Sequence, residues 1–196
     1  MVDLMRRAMI CIAAMLALAG GATEVARAST STTTTSTTTT STTTSNPTPT
    51  SAEITRAITH AERSRYLWAT INICRPHVRQ GGLVGVRGEM GALGFRSTLT
   101  MSVQLRQYDS KRRSYVAVRG STATRTVSLG PLESGVHQDG AEFHYASDTG
   151  LLDATITFTW TRNGKRLGKV TRTTTGGHHN AAFAQPKGHS ASSCRL

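Results

Sequence analysis

From Tyr66 onward, apolar and polar residues alternate with a period of two. That period puts successive side chains on opposite faces of a strand. The clearest case is Ser97–Tyr108, where Leu99, Met101, Val103 and Leu105 face inward and Thr98, Thr100, Ser102, Gln104 and Arg106 face outward. Tyr66–Cys74 is rich in strand formers on both faces. Leu67, Ala69, Ile71 and Ile73 lie on one side, and Trp68, Thr70, Asn72 and Cys74 on the other, which predicts a strand covered on both sides. Leu83–Met90 is weaker, with Val84 and Val86 in phase and with Gly85 and Gly88 marking a bulge or a close backbone approach. Tyr115–Val118 returns across the polar turn Asp109-Ser110-Lys111-Arg112-Arg113. Thr122–Leu129 alternates again and is expected to end at Gly130-Pro131. Ala154–Trp160 carries Ile156, Phe158 and Trp160 on one face.

Two dipeptides, Asp139-Gly140 and Asn163-Gly164, are two-residue hairpin signals. The first predicts Val136 opposite Phe143 and His137 opposite Glu142, with Phe143 and Tyr145 on the core face. After the second, Leu167 and Val170 are out of phase, and Gly168 between them predicts a bulge that restores the phase. Ahead of the strands, Ile54, Ala57, Ile58 and Ala61 recur at helical spacing within residues 52–63, predicting one short helix at the entry. About seven short strands separated by turns predict an all-β fold, a single antiparallel β-sandwich over residues 52–196 with its core in 66–196. A small barrel is the alternative. Strand–helix alternation, the mark of a parallel sheet, is absent from the pattern.

The N-terminus reads as an address. Arg6 and Arg7 precede the 12-residue apolar run of residues 8–19, too short for a membrane span, and Ala26-Arg27-Ala28 fits a cleavage site. Residues 1–28 are therefore expected to be a secretory signal peptide, with an alternative cut after Ala22. Residues 29–51 follow as a Thr/Ser-rich linker; 19 of the 22 residues in 29–50 are Ser or Thr, which leaves nothing to offset the entropy of ordering them. Such tracts in exported chains are disordered spacers or O-glycosylated stalks.

Composition narrows the function classes. The chain has 196 residues, 37% of them apolar, and a formal charge of +12. It has no apolar run beyond the N-terminus long enough to span a membrane, which excludes a multispan membrane protein, and its length excludes a multidomain enzyme. Without residues 1–28, which hold Arg6, Arg7, Arg27, Asp3 and Glu24, 20 basic and 9 acidic residues remain, a net charge of +11. Lys111, Arg112 and Arg113 cluster in one turn, and Arg162, Lys165, Arg166 and Lys169 surround another. These seven are the candidate contacts to a polyanion such as an anionic cell-wall polymer or polysaccharide. Should the two turns share one end of the sandwich, they would form a single patch. Sequence-specific nucleic-acid reading is not expected, because the chain carries an export signal and has no recognition helix.

Two cysteines, Cys74 and Cys194, remain after the signal. In an oxidising compartment they have one intramolecular pairing, which would close 120 positions and tie down a Gly/His-rich tail. Free thiols or metal ligands are the competing reading.

Other chemistries have weaker support. His137, Asp139, Glu142 and His144 have liganding side chains, but across a hairpin they make solvent-facing pairs, so neither a metal nor another cofactor is expected. There is no G-x-S-x-G elbow, P-loop or G-x-G-x-x-G run. A small secreted hydrolase with an unfamiliar site is kept as the alternative from another class. A carbohydrate-binding accessory domain would need exposed aromatics, and both tryptophans, Trp68 and Trp160, read as core.

Leu67-Trp68-Ala69-Thr70-Ile71-Asn72-Ile73-Cys74 resembles the opening strand of uncharacterised secreted immunoglobulin-like proteins of high-GC Gram-positive bacteria. Phe143/Tyr145, the Phe158-x-Trp160 strand, Thr174-Thr175-Gly176-Gly177-His178 and Gly188-His189-Ser190-Ala191-Ser192-Ser193-Cys194 extend the likeness over about 66–196. The resemblance implies a single immunoglobulin-like β-sandwich, a signal peptide and a disulfide joining the first and last segments. It implies no activity and no catalytic residues. The expectation is a secreted or envelope-associated, non-catalytic binding or structural module.

Overall fold

The computed structural model describes residues 48–76, 81–145 and 150–196; the predicted signal peptide and most of the linker lie outside them. One helix, α1 (Ser51–Arg63), precedes nine strands: β1 (Trp68–Arg75), β2 (Gly82–Gly91), β3 (Ser97–Asp109), β4 (Ser114–Ala117), β5 (Thr124–Leu132), β6 (Val136–Tyr145), β7 (Leu151–Arg162), β8 (Lys165–Thr173) and β9 (Cys194–Arg195). The predicted all-β sandwich is the observed fold. Sheet 1 has the order β1-β2-β6. In sheet 2, β4 and β5 pair with successive stretches of one side of β3, β7 pairs with its other side, and β8 and β9 pair with β7. Six strands thus fill four lanes, and every strand pairing is antiparallel.

The helix starts one residue before the predicted 52. Thr50, the last residue of the Thr-rich tract, is its N-cap: its Oγ1 accepts from the Glu53 amide, and the Glu53 carboxylate accepts from the Thr50 amide at 2.7 Å. This reciprocal pair satisfies two amides that the first helical turn leaves open. The helix lays Ile58 against Gly168, where a Cβ would lie 2.7 Å from the Ile58 side chain.

The core lies between the sheets. Leu99, Met101, Val103 and Leu105 of β3 are fully buried opposite Ile156, Phe158 and Trp160 of β7 and Val84 and Val86 of β2. Each such side chain contributes roughly 1.5–3 kcal/mol relative to its exposed state. Trp160 Nε1 donates to Gly91 O at 2.9 Å, so the largest core residue also pins the end of β2.

Asn163-Gly164 forms the predicted hairpin turn, both residues with positive φ (50° and 73°) and Arg162 pairing with Lys165. The expected bulge is present as well. Trp160 pairs with Gly168 and Thr161 with Arg166, so Leu167 is passed over.

Two expectations fail. Asp139-Gly140 is not a turn; it lies inside the single strand β6, where Gly140 pairs with Arg87 and Asp139 with Gly88. Gly140 is required for close approach, since a Cβ there would lie 1.8 Å from Val86 O. Val136 consequently does not face Phe143 across a hairpin: it pairs with Gly91 and is 45% exposed, while Phe143 pairs with Val84 in the core. Gly130-Pro131 does not end β5 either. The strand continues to Leu132 past a register shift beside Leu99/Thr100, with Gly130 at φ 79°. As an outer strand of sheet 2, β5 tolerates Pro131, which has no N–H to donate.

Candidate binding faces

Cys74 and Cys194 form the expected disulfide, which joins β1 of sheet 1 to β9 of sheet 2. It closes the C-terminal segment of residues 174–193 over sheet 1. Thr175 N donates to Ala69 O, Gln185 N donates to Asn72 O, and Ile71 and Ala191 exchange both backbone bonds, so the free edge of β1 is covered. The outward side chains of sheet 1 bind the same segment. Asn72 Nδ2 donates to Ala182 O at 2.9 Å, Gln138 Oε1 accepts from Ala182 N at 2.8 Å, and Thr70 Oγ1 meets Ser190 Oγ at 2.7 Å. His178 stacks on Trp68 with ring centroids 4.6 Å apart. The Trp68 indole donates to Glu89, which also accepts from Gln138. Desolvation pushes the His178 pKa down, Glu89 counters it and His179 adds to it. This explains why both faces of β1 are buried. Trp68 is covered by the tail rather than held in the inter-sheet core. The outer face of sheet 1 is thus a polar layer already occupied by the chain's own C-terminal segment.

Sheet 2 presents a different outer face. Thr98, Thr100 and Ser102 of β3 stand opposite Thr161, Thr159 and Thr157 of β7. Register adds Thr124, Thr126 and Ser128 from β5, and Lys169, Thr171 and Thr173 from β8. The inward positions of β3 and β7 are apolar for packing, so the outward ones carry no such demand. At positions 98, 100, 155, 157, 159 and 161 they are threonines, β-branched and suited to a strand, and at 102 a serine; Gln104 and the Arg106–Asp153 pair follow toward Tyr108. Some hydroxyls pair across lanes, Thr157 with Thr171 at 2.9 Å and Thr126 with Ser102 at 3.3 Å. A hydroxyl has one donor and two acceptor sites, so each keeps capacity for a further partner.

At one end of this face Tyr108 and Tyr115 pair edge to face at 5.4 Å, Tyr108 being 39% exposed. Beside them Arg106 holds Asp153 in a bidentate pair, Nε to Oδ1 at 2.9 Å, and lies over the Tyr115 ring. Burial moves the Asp153 pKa up from its ordinary value, against the lowering by Arg106. At the other end, a hollow of about 140 Å³ has Thr98, Pro131 and Thr161 in its lining and Arg96 and Arg162 beside it.

The two basic turns do not share an end. Lys111, Arg112 and Arg113 follow the end of β3, where Asp109 pairs with Ser114, while Arg162, Lys165 and Arg166 sit beside its start, where Thr98 pairs with Thr161. About ten residues of strand separate them, roughly 35 Å. That is several times the ~8 Å Debye length at physiological salt, so they act as two independent sites rather than one patch. Lys169 lies between, opposite Thr159. Within the first turn, Asp109 accepts from the Lys111 and Arg112 amides and lies 3.5 Å from the Arg112 guanidinium.

His137, Asp139, Glu142 and His144 lie along one strand, so the predicted cross-strand pairing of His137 with Glu142 does not occur; His137 pairs with Met90 and Glu142 with Gly85. Among the described residues no group of three His, Cys, Asp or Glu is placed to hold a metal ion. No helix among them is long and apolar enough to cross a membrane.

No protein-family model matches the chain, and no curated protein matches it. Among solved structures, the Bacteroides uniformis beta-glucuronidase 2 covalently bound to cyclophellitol-6-carboxylate aziridine is similar at a TM-score of 0.30 and 13% identity. The match covers 57% of this chain and spans only 13% of that one, a likeness too slight to bear on function.

Proposed function

We propose that the chain is an exported, non-catalytic binding module of the cell envelope, held there by anionic polymers. The observation that carries this reading is the placement of two exposed basic turns at opposite ends of one open sheet face. The carboxylates near that face are already engaged: Asp153 is buried under Arg106, and Asp109 caps its own turn. Arg112 shares its charge with Asp109 in an exposed ion pair, while Lys111, Arg113, Lys165 and Arg166 stand exposed toward an outside partner. The Thr/Ser-rich linker would hold the module away from its point of attachment, and the export signal would bring it to the envelope.

The test is retention of the exported protein on immobilised polyglycerol phosphate, read as elution salt. Counterion release makes such binding fall steeply with salt. Because the turns act independently, R112Q/R113Q and K165Q/R166Q should each lower the elution salt, and the fourfold variant should lower it by the sum. Unchanged elution salt in the fourfold variant would reduce the basic turns to solvated charge.

A further inference from the structure

We propose that the outer face of sheet 2 is a binding face for an extended anionic polysaccharide, one chain lying along the strands from one basic turn to the other. The inference rests on the envelope-binding reading and assigns its site and ligand class. Three observations converge on it.

The first is the hydroxyl array. Thr98, Thr100 and Ser102 stand beside Thr161, Thr159 and Thr157, with further hydroxyls in both outer lanes. The strand geometry sets them about 4.8 Å apart across lanes and about 6.7 Å apart along them. Hydroxyls that both donate and accept match a ligand made of hydroxyls, and along the two central lanes only Gln104 and the mutually paired Arg106 and Asp153 separate them from Tyr108.

The second is the aromatic pair. The sequence suggested that neither tryptophan would serve as a sugar platform, and neither does; Tyr108 and Tyr115 occupy that place at the end of the same face. An exposed tyrosine ring offers an apolar surface to the C–H face of a sugar ring, beside hydroxyls for its polar edge.

The third is charge complementarity. Arg96, Arg162 and Arg166 cluster at one end, and Lys111, Arg112 and Arg113 at the other. A compact anion would reach only one cluster. A polymer with regularly spaced carboxylates reaches both while its hydroxyls run over the threonines. The twist of a β-sheet, about 20–25° per strand, fits a flexible single chain and disfavours a flat crystalline lattice.

The experiment measures binding of the full exported chain to two probes, polygalacturonate and linear polyphosphate. Both are anionic, and only the first has sugar rings. T100V/T159V/Y108A removes hydroxyls and a ring from the face without touching a basic turn. It is expected to lose about tenfold or more in affinity for polygalacturonate and to keep its affinity for polyphosphate. T100S/T159S, which keeps the hydroxyls, should bind both probes like the parent and controls for altered packing. Full polygalacturonate affinity in T100V/T159V/Y108A, or no binding of polygalacturonate by the parent, overturns the glycan face. Loss of polyphosphate binding by the parent would instead overturn the charge-based envelope reading beneath it.

Discussion

Removing the Cys74–Cys194 bond by C74A/C194A probes how the C-terminal segment is held. The bond closes 120 positions, for which the chain-entropy relation gives about 5 kcal/mol at 25 °C, with native disulfides more often worth 2–4 kcal/mol. Alanine avoids burying a hydroxyl at position 194, which is 1% exposed. A loss of about 3–5 kcal/mol is a large share of a usual domain stability of 5–15 kcal/mol. The loss should be uneven. The tail meets β1 through four backbone bonds, from Thr175, from Gln185 and in both directions between Ile71 and Ala191, each 2.8–3.0 Å. With the tether gone, those bonds open locally while the β3–β7 ladder persists. Urea unfolding gives the global value, and amide hydrogen exchange gives the local one. Protection at Gln185 and Ala191 should fall by orders of magnitude relative to Met101 and Phe158. A global loss under about 1 kcal/mol, with Gln185 and Ala191 as protected as in the parent, would refute the tether.

Gly140→Ala, which sets a Cβ against Val86 O, should cost about 2–3 kcal/mol by overpacking in urea titration, whereas Gly94→Ala meets no neighbour and pays only for its φ of 83°. Trp160→Ala should cost about 3–5 kcal/mol by the same assay, since it empties a fully buried site and orphans Gly91 O. The His178 ring is held neutral, its folded pKa below the unfolded value of about 6.5. Its contribution to tail docking is therefore complete above that pH and is lost as pH falls through and below it. NMR titration should place the His178 midpoint below 6.5, and a midpoint at or above it would contradict the packing on Trp68.

Much of the fold was legible because strands buried on one face must alternate. The inward residues of β3 and β7 announce themselves, and Asn163-Gly164 meets the positive-φ demand of its turn. Asp139-Gly140 carries the same signal for another reason. Its glycine has no positive φ and exists to admit a carbonyl, and a dipeptide cannot distinguish the two needs. The tail was half legible: a β1 strand with strand formers on both faces, Trp68 among them, calls for a cover, and the pairing of Cys74 with Cys194 brings the C-terminal segment there. Its cover is made of single hydrogen bonds from Asn72, Gln138 and Thr70, which leave no periodicity. The threonine face was visible strand by strand as an outward set. Its extent across four lanes, and the distance between the basic turns, depend on strand order, which alternation does not encode.

On this proposal the outer face of sheet 2 does the binding. It is tested most directly by titrating the isotope-labelled exported protein with polygalacturonate oligomers and mapping amide and methyl shifts by NMR. Changes should concentrate at Thr98, Thr100, Thr157, Thr159, Tyr108 and the two basic turns, with Asn72, Thr70 and Gln138 beneath the tail unaffected. Shifts confined to the lysines and arginines wherever they fall, or centred on sheet 1, would contradict it.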